Sequence, residues 1–250
     1  DYFRALEKRG EWIQGTFIHH RDGQSPEFHY LSHAEADGLS GLIHLVKSRG
    51  TLSQKQLPRI PLRGTPPFWT SLREYVRFVK ELPYYPADWI PKDPSSSLRP
   101  VSVGYDFFSK EETSRLISHA KKAQVPVHVY LLFQLNEASF PWRKDPSETS
   151  IWMTPVLTTS EITLDMPLGN YISFLDLFLE PGMTLSDLSD QFLKKMSAGA
   201  HWGTAFALRL NRLFGAKGMT KMIEAIESRG RRTGIFSNVG VWSPDPSSEA

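Results

Sequence analysis

The sequence predicts an α/β chain, and three observations carry that expectation. Short runs rich in β-formers alternate with stretches of helical periodicity. The strand-like runs are bounded by Gly, Pro and Asp, the residues that break or turn a chain. Two capping signatures, Ser109-Lys110-Glu111-Glu112 and Thr184-Leu185-Ser186-Asp187, stand where helical periodicity begins.

The elements follow in order. Asp1 to Gly10 reads as a short helix or its tail. Trp12 to His20 and Glu27 to Leu31 are β-rich, with Arg21-Asp22-Gly23-Gln24 as the turn of a hairpin. Leu39 to Ser48 has Leu39, Leu42, Ile43, Leu45 and Val46 at helical spacing, and Arg49-Gly50 ends it. Between Thr51 and Pro100 the prolines crowd together and leave room for one helix, Phe68 to Leu82, with Trp69, Leu72, Tyr75, Val76 and Val79 on one face. Val101 to Phe107 reads as a strand. The Ser109 cap opens a helix to about Lys122 with Leu116 and Ile117 inward, and Pro126 restarts the chain into an apolar helix, Val127 to Ala138 (Val129, Tyr130, Leu132, Phe133, Leu135). Ile151 to Val156 and the run after Leu168-Gly169-Asn170, as far as Leu179, read as strands. Leu185 to Ser197 is helical, as is His201 to Ser228 with a break at Gly215 to Gly218. Thr233 to Trp242 closes the series as a strand.

Composition narrows the chemistry. The 250 residues hold one large domain or two small ones, and a 40% apolar fraction with seven Trp and fifteen Phe supplies a core. Lys and Arg total 29 against 27 Asp and Glu, a net charge of +2 that makes no electrostatic case for nucleic acid. There is no cysteine, which removes disulfides, thiolate metal ligands and a cysteine nucleophile. No apolar run has membrane-spanning length and no signal peptide is visible, so the expected setting is cytoplasmic. No metal set stands out: His119, His128 and His201 lack ligand spacing.

The stretch with most chemical content is Leu31-Ser32-His33-Ala34-Glu35-Ala36-Asp37-Gly38, a strand-to-helix turn. A histidine there can have one ring nitrogen fixed locally and the other facing a cleft, as a general base near neutral pH requires. Asp37 suits a salt bridge that holds the turn, and Gly38 allows a positive dihedral or close approach. His, Asp and Gly in a loop are also common without any function. His19, His20 and His29 read as strand residues, their neighbouring Asp22-Gly23 belonging to the hairpin turn.

His33-x-x-x-Asp37-Gly38 resembles the HHxxxDG signature of the chloramphenicol acetyltransferase-like superfamily, which includes peptide-synthetase condensation domains, alcohol acetyltransferases and wax-ester synthases. Ser32 stands where the family has its first histidine; His33 matches the second, the family's base. Further landmarks follow in the family's order: the Phe108-Ser109 pair with its two helices, Met153 to Val156, Gly169-Asn170, and Ser237-Asn238-Val239-Gly240. The resemblance implies a fold of two α/β halves with a channel between them, the N-terminal half incomplete here. Residues 1–50 would be a remnant of that half, 51–100 a Pro-rich crossover and 101–250 the C-terminal half, with the missing segment belonging to a longer protein or to a partner subunit.

The implied reaction is acyl transfer from a thioester, acyl-CoA or a carrier's phosphopantetheine, to a small-molecule hydroxyl or amine. His33 would be the base, Asp37 would pair with an arginine to hold the loop, and Asn238, Ser237 and the Gly240 amide are candidate oxyanion donors; an ordinary Asn-x-Gly turn explains the same residues. Arg229, Arg231 and Arg232 could contact phosphate, or form a solvated helix end. Trp202, Phe206, Leu210 and Phe214 could line an acyl channel or be a helix-packing face. Three readings therefore stand: a CoA-dependent acyltransferase, a condensation-type domain using carrier thioesters, and a non-catalytic module with the same fold.

Overall fold

The computed structural model describes residues 14–19, 25, 27–33, 35–48, 53–54, 57, 66–81, 106, 108–159, 161–213, 215–227 and 232–238. The architecture is mixed α/β. Strands β1 (Gln14–His19) and β2 (Glu27–Ser32) form an antiparallel hairpin in register from Gln14↔Ser32 to His19↔Glu27. A three-stranded sheet has the order β4-β3-β5, where β3 is Ser150–Leu157, β4 Ile172–Leu179 and β5 Gly234–Ile235. β4 pairs antiparallel with β3 and β5 parallel to it. The expected helix over Asp1–Gly10 and strand over Val101–Phe107 lie outside the described residues, save Asp106.

The capped helices form where their sequences predict. Helix α3 (Lys110–Lys122) opens on a capping box: Ser109 Oγ accepts from the Glu112 amide at 3.1 Å, and Glu112 accepts from the Ser109 amide at 2.7 Å. Helix α5 (Leu185–Ala198) opens on the equivalent Thr184–Asp187 pair and ends at Gly199, whose φ of 75° needs no Cβ to be accommodated. Between them lies α4 (Val127–Ser139), started after Pro126. Its buried residues are Val129, Leu132, Asn136 and Ser139, while Leu135 is 40% exposed. The last helices are α6 (His201–Arg212) and α7 (Gly215–Glu227). The break expected at Gly215 to Gly218 falls earlier, because Gly215 (φ 63°) opens α7 and Gly218 lies within it.

The main core joins α4, the sheet and α5. Val129, Leu132, Trp152, Leu175, Leu177, Leu179 and Leu188 form one buried cluster. Trp152 is placed in it by its indole N–H, which donates to Asn136 Oδ1 at 2.9 Å. A second cluster brings together α1 (Gly38–Ser48) and the segment between β3 and β4: Leu39, Ile43, Leu57 and Ile162. Lys47 pairs with Asp165 at 2.6 Å, and Gln54 bonds both the Ile162 carbonyl and the Leu164 amide, so the same contact is made by polar groups.

Helix α2 (Phe68–Glu81) meets its expected apolar face in part, since Leu72, Tyr75 and Val79 are half-buried. Trp69 is 74% exposed and Val76 45%, while the buried residues are Ser71 and Glu74. The reason is a close crossing with α6. At Gly203 an added Cβ would stand 2.5 Å from the Glu74 carbonyl oxygen and 2.8 Å from the Tyr75 amide nitrogen. Such a crossing admits small or locally paired side chains in place of large apolar ones. Glu74 is held by Arg73 at 3.0 Å, and Phe206 of α6 packs on Phe68 and Tyr75. Replacing Gly203 by Ala is expected to destabilise the protein by about 1–3 kcal/mol through overpacking. An unchanged denaturation midpoint would show that the helices do not approach so closely.

Across β4 the side chains alternate. Leu175 and Leu177 enter the core, whereas Phe174, Asp176 and Phe178 line a shallow cleft with Glu74, Arg77 and Lys195. Among the described residues no helix is long and apolar enough to cross a membrane.

Candidate active site

The turn that carries His33 is built by the residues around it. β2 ends at Ser32, and its carbonyl accepts from the amides of Glu35 (3.0 Å) and Ala36 (3.2 Å), turning the chain sharply after His33. Asp37 is the N-cap of α1: Oδ1 accepts from the Ser40 amide at 2.8 Å. Gly38 is helical, the first residue of α1, so the positive dihedral allowed for it is not used.

Asp37 also docks the turn onto a distant part of the chain. Its Oδ2 accepts from the Tyr171 amide at 2.7 Å, its own amide donates to the Gly169 carbonyl at 3.0 Å, and Ser40 Oγ donates to the same carbonyl at 2.7 Å. The side chain is 1% exposed. Both oxygens are thus taken by backbone amides, and among the described residues no arginine pairs with them, in contrast to the salt bridge expected. A buried carboxylate that accepts from amide dipoles has its charge compensated without a cation. Tyr171 is in turn tied to the end of β3, its carbonyl accepting from the Thr158 amide at 2.7 Å and from Thr158 Oγ1 at 2.9 Å.

The structure therefore joins His33, Asp37 and Gly38 to the Gly169-Asn170 pair. Asn170 Nδ2 donates to the His33 carbonyl at 2.8 Å. Burial lowers the His33 pKa from its ordinary 6.5, opposed by the Asp37 charge and by a side-chain hydrogen bond with Asn170. Lowering is the net result, so the imidazole is neutral at neutral pH and able to accept a proton.

Ser237 and Asn238 follow β5 and are exposed. β5 runs parallel to β3, with Ile235 opposite Met153, and the Phe236 amide donates to the Met153 carbonyl at 2.9 Å. The chain leaving Phe236 thus heads toward the Leu157 end of β3, the end to which the His33 turn is docked. Of the expected Thr233–Trp242 strand only Gly234–Ile235 is strand among the described residues, and positions 239–242, Gly240 included, lie outside them, as do Arg229 and Arg231. Arg232 is described: it makes a bidentate pair with Asp176 at 2.7 and 2.9 Å, partly buried beside the cleft. Trp202 is buried and Phe206 meets α2, so those members of the aromatic stripe form a packing face; Phe214 lies outside the described residues.

Two residues acquire roles that the sequence did not disclose. Asn170 is a landmark in the sequence, but its partner is 137 positions away. His128 stands on α4 with Nε2 3.4 Å from Thr154 Oγ1, and its ring lies 4.9 Å from that of Phe236. Burial lowers its pKa to about 4. The native state therefore holds it neutral at pH values where the unfolded chain, with a value of 6.5, is already protonated. Its contribution is complete above pH 6.5 and is lost as the pH falls toward 4, by about 1.4 kcal/mol per unit in that window. A His128→Phe variant is expected to lose stability less steeply than the parent between about pH 7 and about pH 4.5. Parallel curves of denaturation midpoint against pH would contradict this.

Among the described residues no group of three or more His, Asp and Glu side chains is placed to hold a metal ion. No protein-family model matches the chain, and a search of curated proteins finds no match either.

Proposed function

We propose that this chain is an acyltransferase of the chloramphenicol acetyltransferase-like fold, moving an acyl group from a thioester to a hydroxyl or amine acceptor. The observation that carries the reading is the His33 turn: a neutral imidazole on a strand-to-helix turn, locked by a buried aspartate to the far end of a sheet. A general base needs such support: a turn held in place and a pKa below the working pH.

In this reading His33 takes the proton from the acceptor as its oxygen or nitrogen bonds to the thioester carbonyl carbon. The tetrahedral oxyanion requires a donor about 3 Å away, the part assigned to Ser237 or Asn238. As the C–S bond breaks, the imidazolium returns the proton to the departing thiolate, and no covalent enzyme intermediate forms. Acyl-CoA is the donor favoured; a phosphopantetheine thioester on a carrier protein serves the same chemistry.

The test is thiol release from acyl-CoAs of increasing chain length, in the presence of a panel of alcohols and amines, with the acylated product identified by mass. Transfer from CoA thioesters supports the reading. Transfer confined to carrier-bound thioesters selects the condensation-type alternative. No turnover of either donor by the full-length natural protein overturns catalysis and leaves the non-catalytic module.

A further inference from the structure

The contact between Asn170 and His33 has a chemical role to play as well as a structural one. Asn170 approaches from the segment that leads into β4, while His33 sits at the end of β2. The asparagine is exposed, so burial does not account for its place there. An amide side chain has donors and an acceptor, and the donor of this one is already on His33. Nδ2 donates to the His33 carbonyl at 2.8 Å, and the same side chain acts on the imidazole in the sense that favours its protonated form. The Gly169 carbonyl and the Tyr171 amide on either side are bonded to the Asp37 turn, which leaves Asn170 little freedom to drift.

We propose that Asn170 is the positioning residue of His33: its amide N–H fixes the backbone of the turn, and its amide oxygen accepts from the ring N–H and stabilises the imidazolium that forms on proton uptake. The inference deepens the acyl-transfer reading and rests on it for its catalytic meaning. Its physical content, control of the orientation and basicity of His33, stands separately.

The charged group that acts on the ring among the described residues is Asp37, from its own turn. Asp37 is buried and committed to two amides, so it is a constant background. Asn170 is the adjustable member. Removing its acceptor withdraws an interaction that favours the protonated ring, so Asn170→Ala is expected to lower the His33 pKa. Placing a carboxylate there has the opposite sign, and Asn170→Asp is expected to raise it.

The experiment is an NMR titration of the histidine ring protons in the parent, Asn170→Ala and Asn170→Asp proteins, with the His33 resonance assigned by its loss in His33→Gln. Opposite displacements of the His33 titration in the two variants, with the other histidines unmoved and the melting temperature preserved, are the expected result. Unmoved or same-sign titrations overturn the proposal whatever the activity. If the titrations separate as expected and the natural protein turns over no thioester, the positioning of His33 stands and the acyl-transfer reading fails. Where turnover is found, the acid limb of kcat/KM should follow the ring, to lower pH in the alanine variant and to higher pH in the aspartate variant.

Discussion

A His33→Ala protein is expected to fold with an unchanged melting temperature and to lose thioester turnover by about 10²–10⁴-fold, the usual contribution of a positioned general base. His33 is only half-buried and its turn is held by other residues: Ser32 through its carbonyl, Asp37 and Ser40 through Gly169 and Tyr171. Removing the imidazole therefore takes away the base without taking away the scaffold. The pH dependence has a definite sign. The working form is the neutral ring, and burial holds its pKa below 6.5. With His33 as the proposed base, turnover by the parent protein should rise with pH through a limb below 6.5 and be flat near neutrality. An alanine variant that keeps the parent rate would remove His33 from the reaction, and with it the proposed mechanism.

The second large effect belongs to Asp37. An Asp37→Ala substitution strips the acceptor from the Ser40 and Tyr171 amides at once and leaves a gap in a site that is 1% exposed. Hydrogen bonds to an ionised group contribute about 1.5–3 kcal/mol each, so a loss of about 3 kcal/mol or more is expected. Hydrogen exchange locates the effect: the Tyr171 and Ser40 amides should lose protection before those of the β3–β4 ladder do. Asp37→Asn keeps one acceptor oxygen and brings an N–H₂ against the second amide, so it should fall between the two. If Asp37→Ala leaves both the denaturation midpoint and these amides untouched, the turn is not anchored as described.

The local features of this fold were legible because short-range chemistry determines them. Ser109 with Glu112 and Thr184 with Asp187 cap α3 and α5, and Pro126 restarts the chain into α4, all within four residues of the feature they explain. The His33 turn was legible as a turn for the same reason. What its side chains touch was not. Asp37 reads as a salt-bridge partner from its charge, yet its position directly before α1 makes it a cap, and its second partner, Tyr171, lies 134 residues on. Arg232 reads as a surface cation in a basic run, and no pattern in the sequence announces Asp176, 56 residues earlier. The face of α2 was legible only in part, because periodicity ranks faces by large apolar side chains: Leu72, Tyr75 and Val79 are half-buried, but Trp69 and Val76 are exposed. The face that packs here is chosen by Gly203 on another helix, which rewards a small Ser71 and a paired Glu74.

The bonds from Asp37 and Ser40 to Gly169 and Tyr171 have a bearing on time as well as on geometry. They close a loop of 134 residues, and contacts of such long range form slowly because their closure entropy must be met before they return any energy. The hairpin and α1 can appear early from their own neighbours. The carboxylate of Asp37 cannot take its second amide until β3 and β4 have paired and brought Tyr171 to the turn. On a ribosome His33 is synthesised long before the segment that holds its turn. Completion of the His33 turn is thus an event of late folding, and a variant that slows the β3–β4 pairing would delay it while leaving the finished turn unaltered.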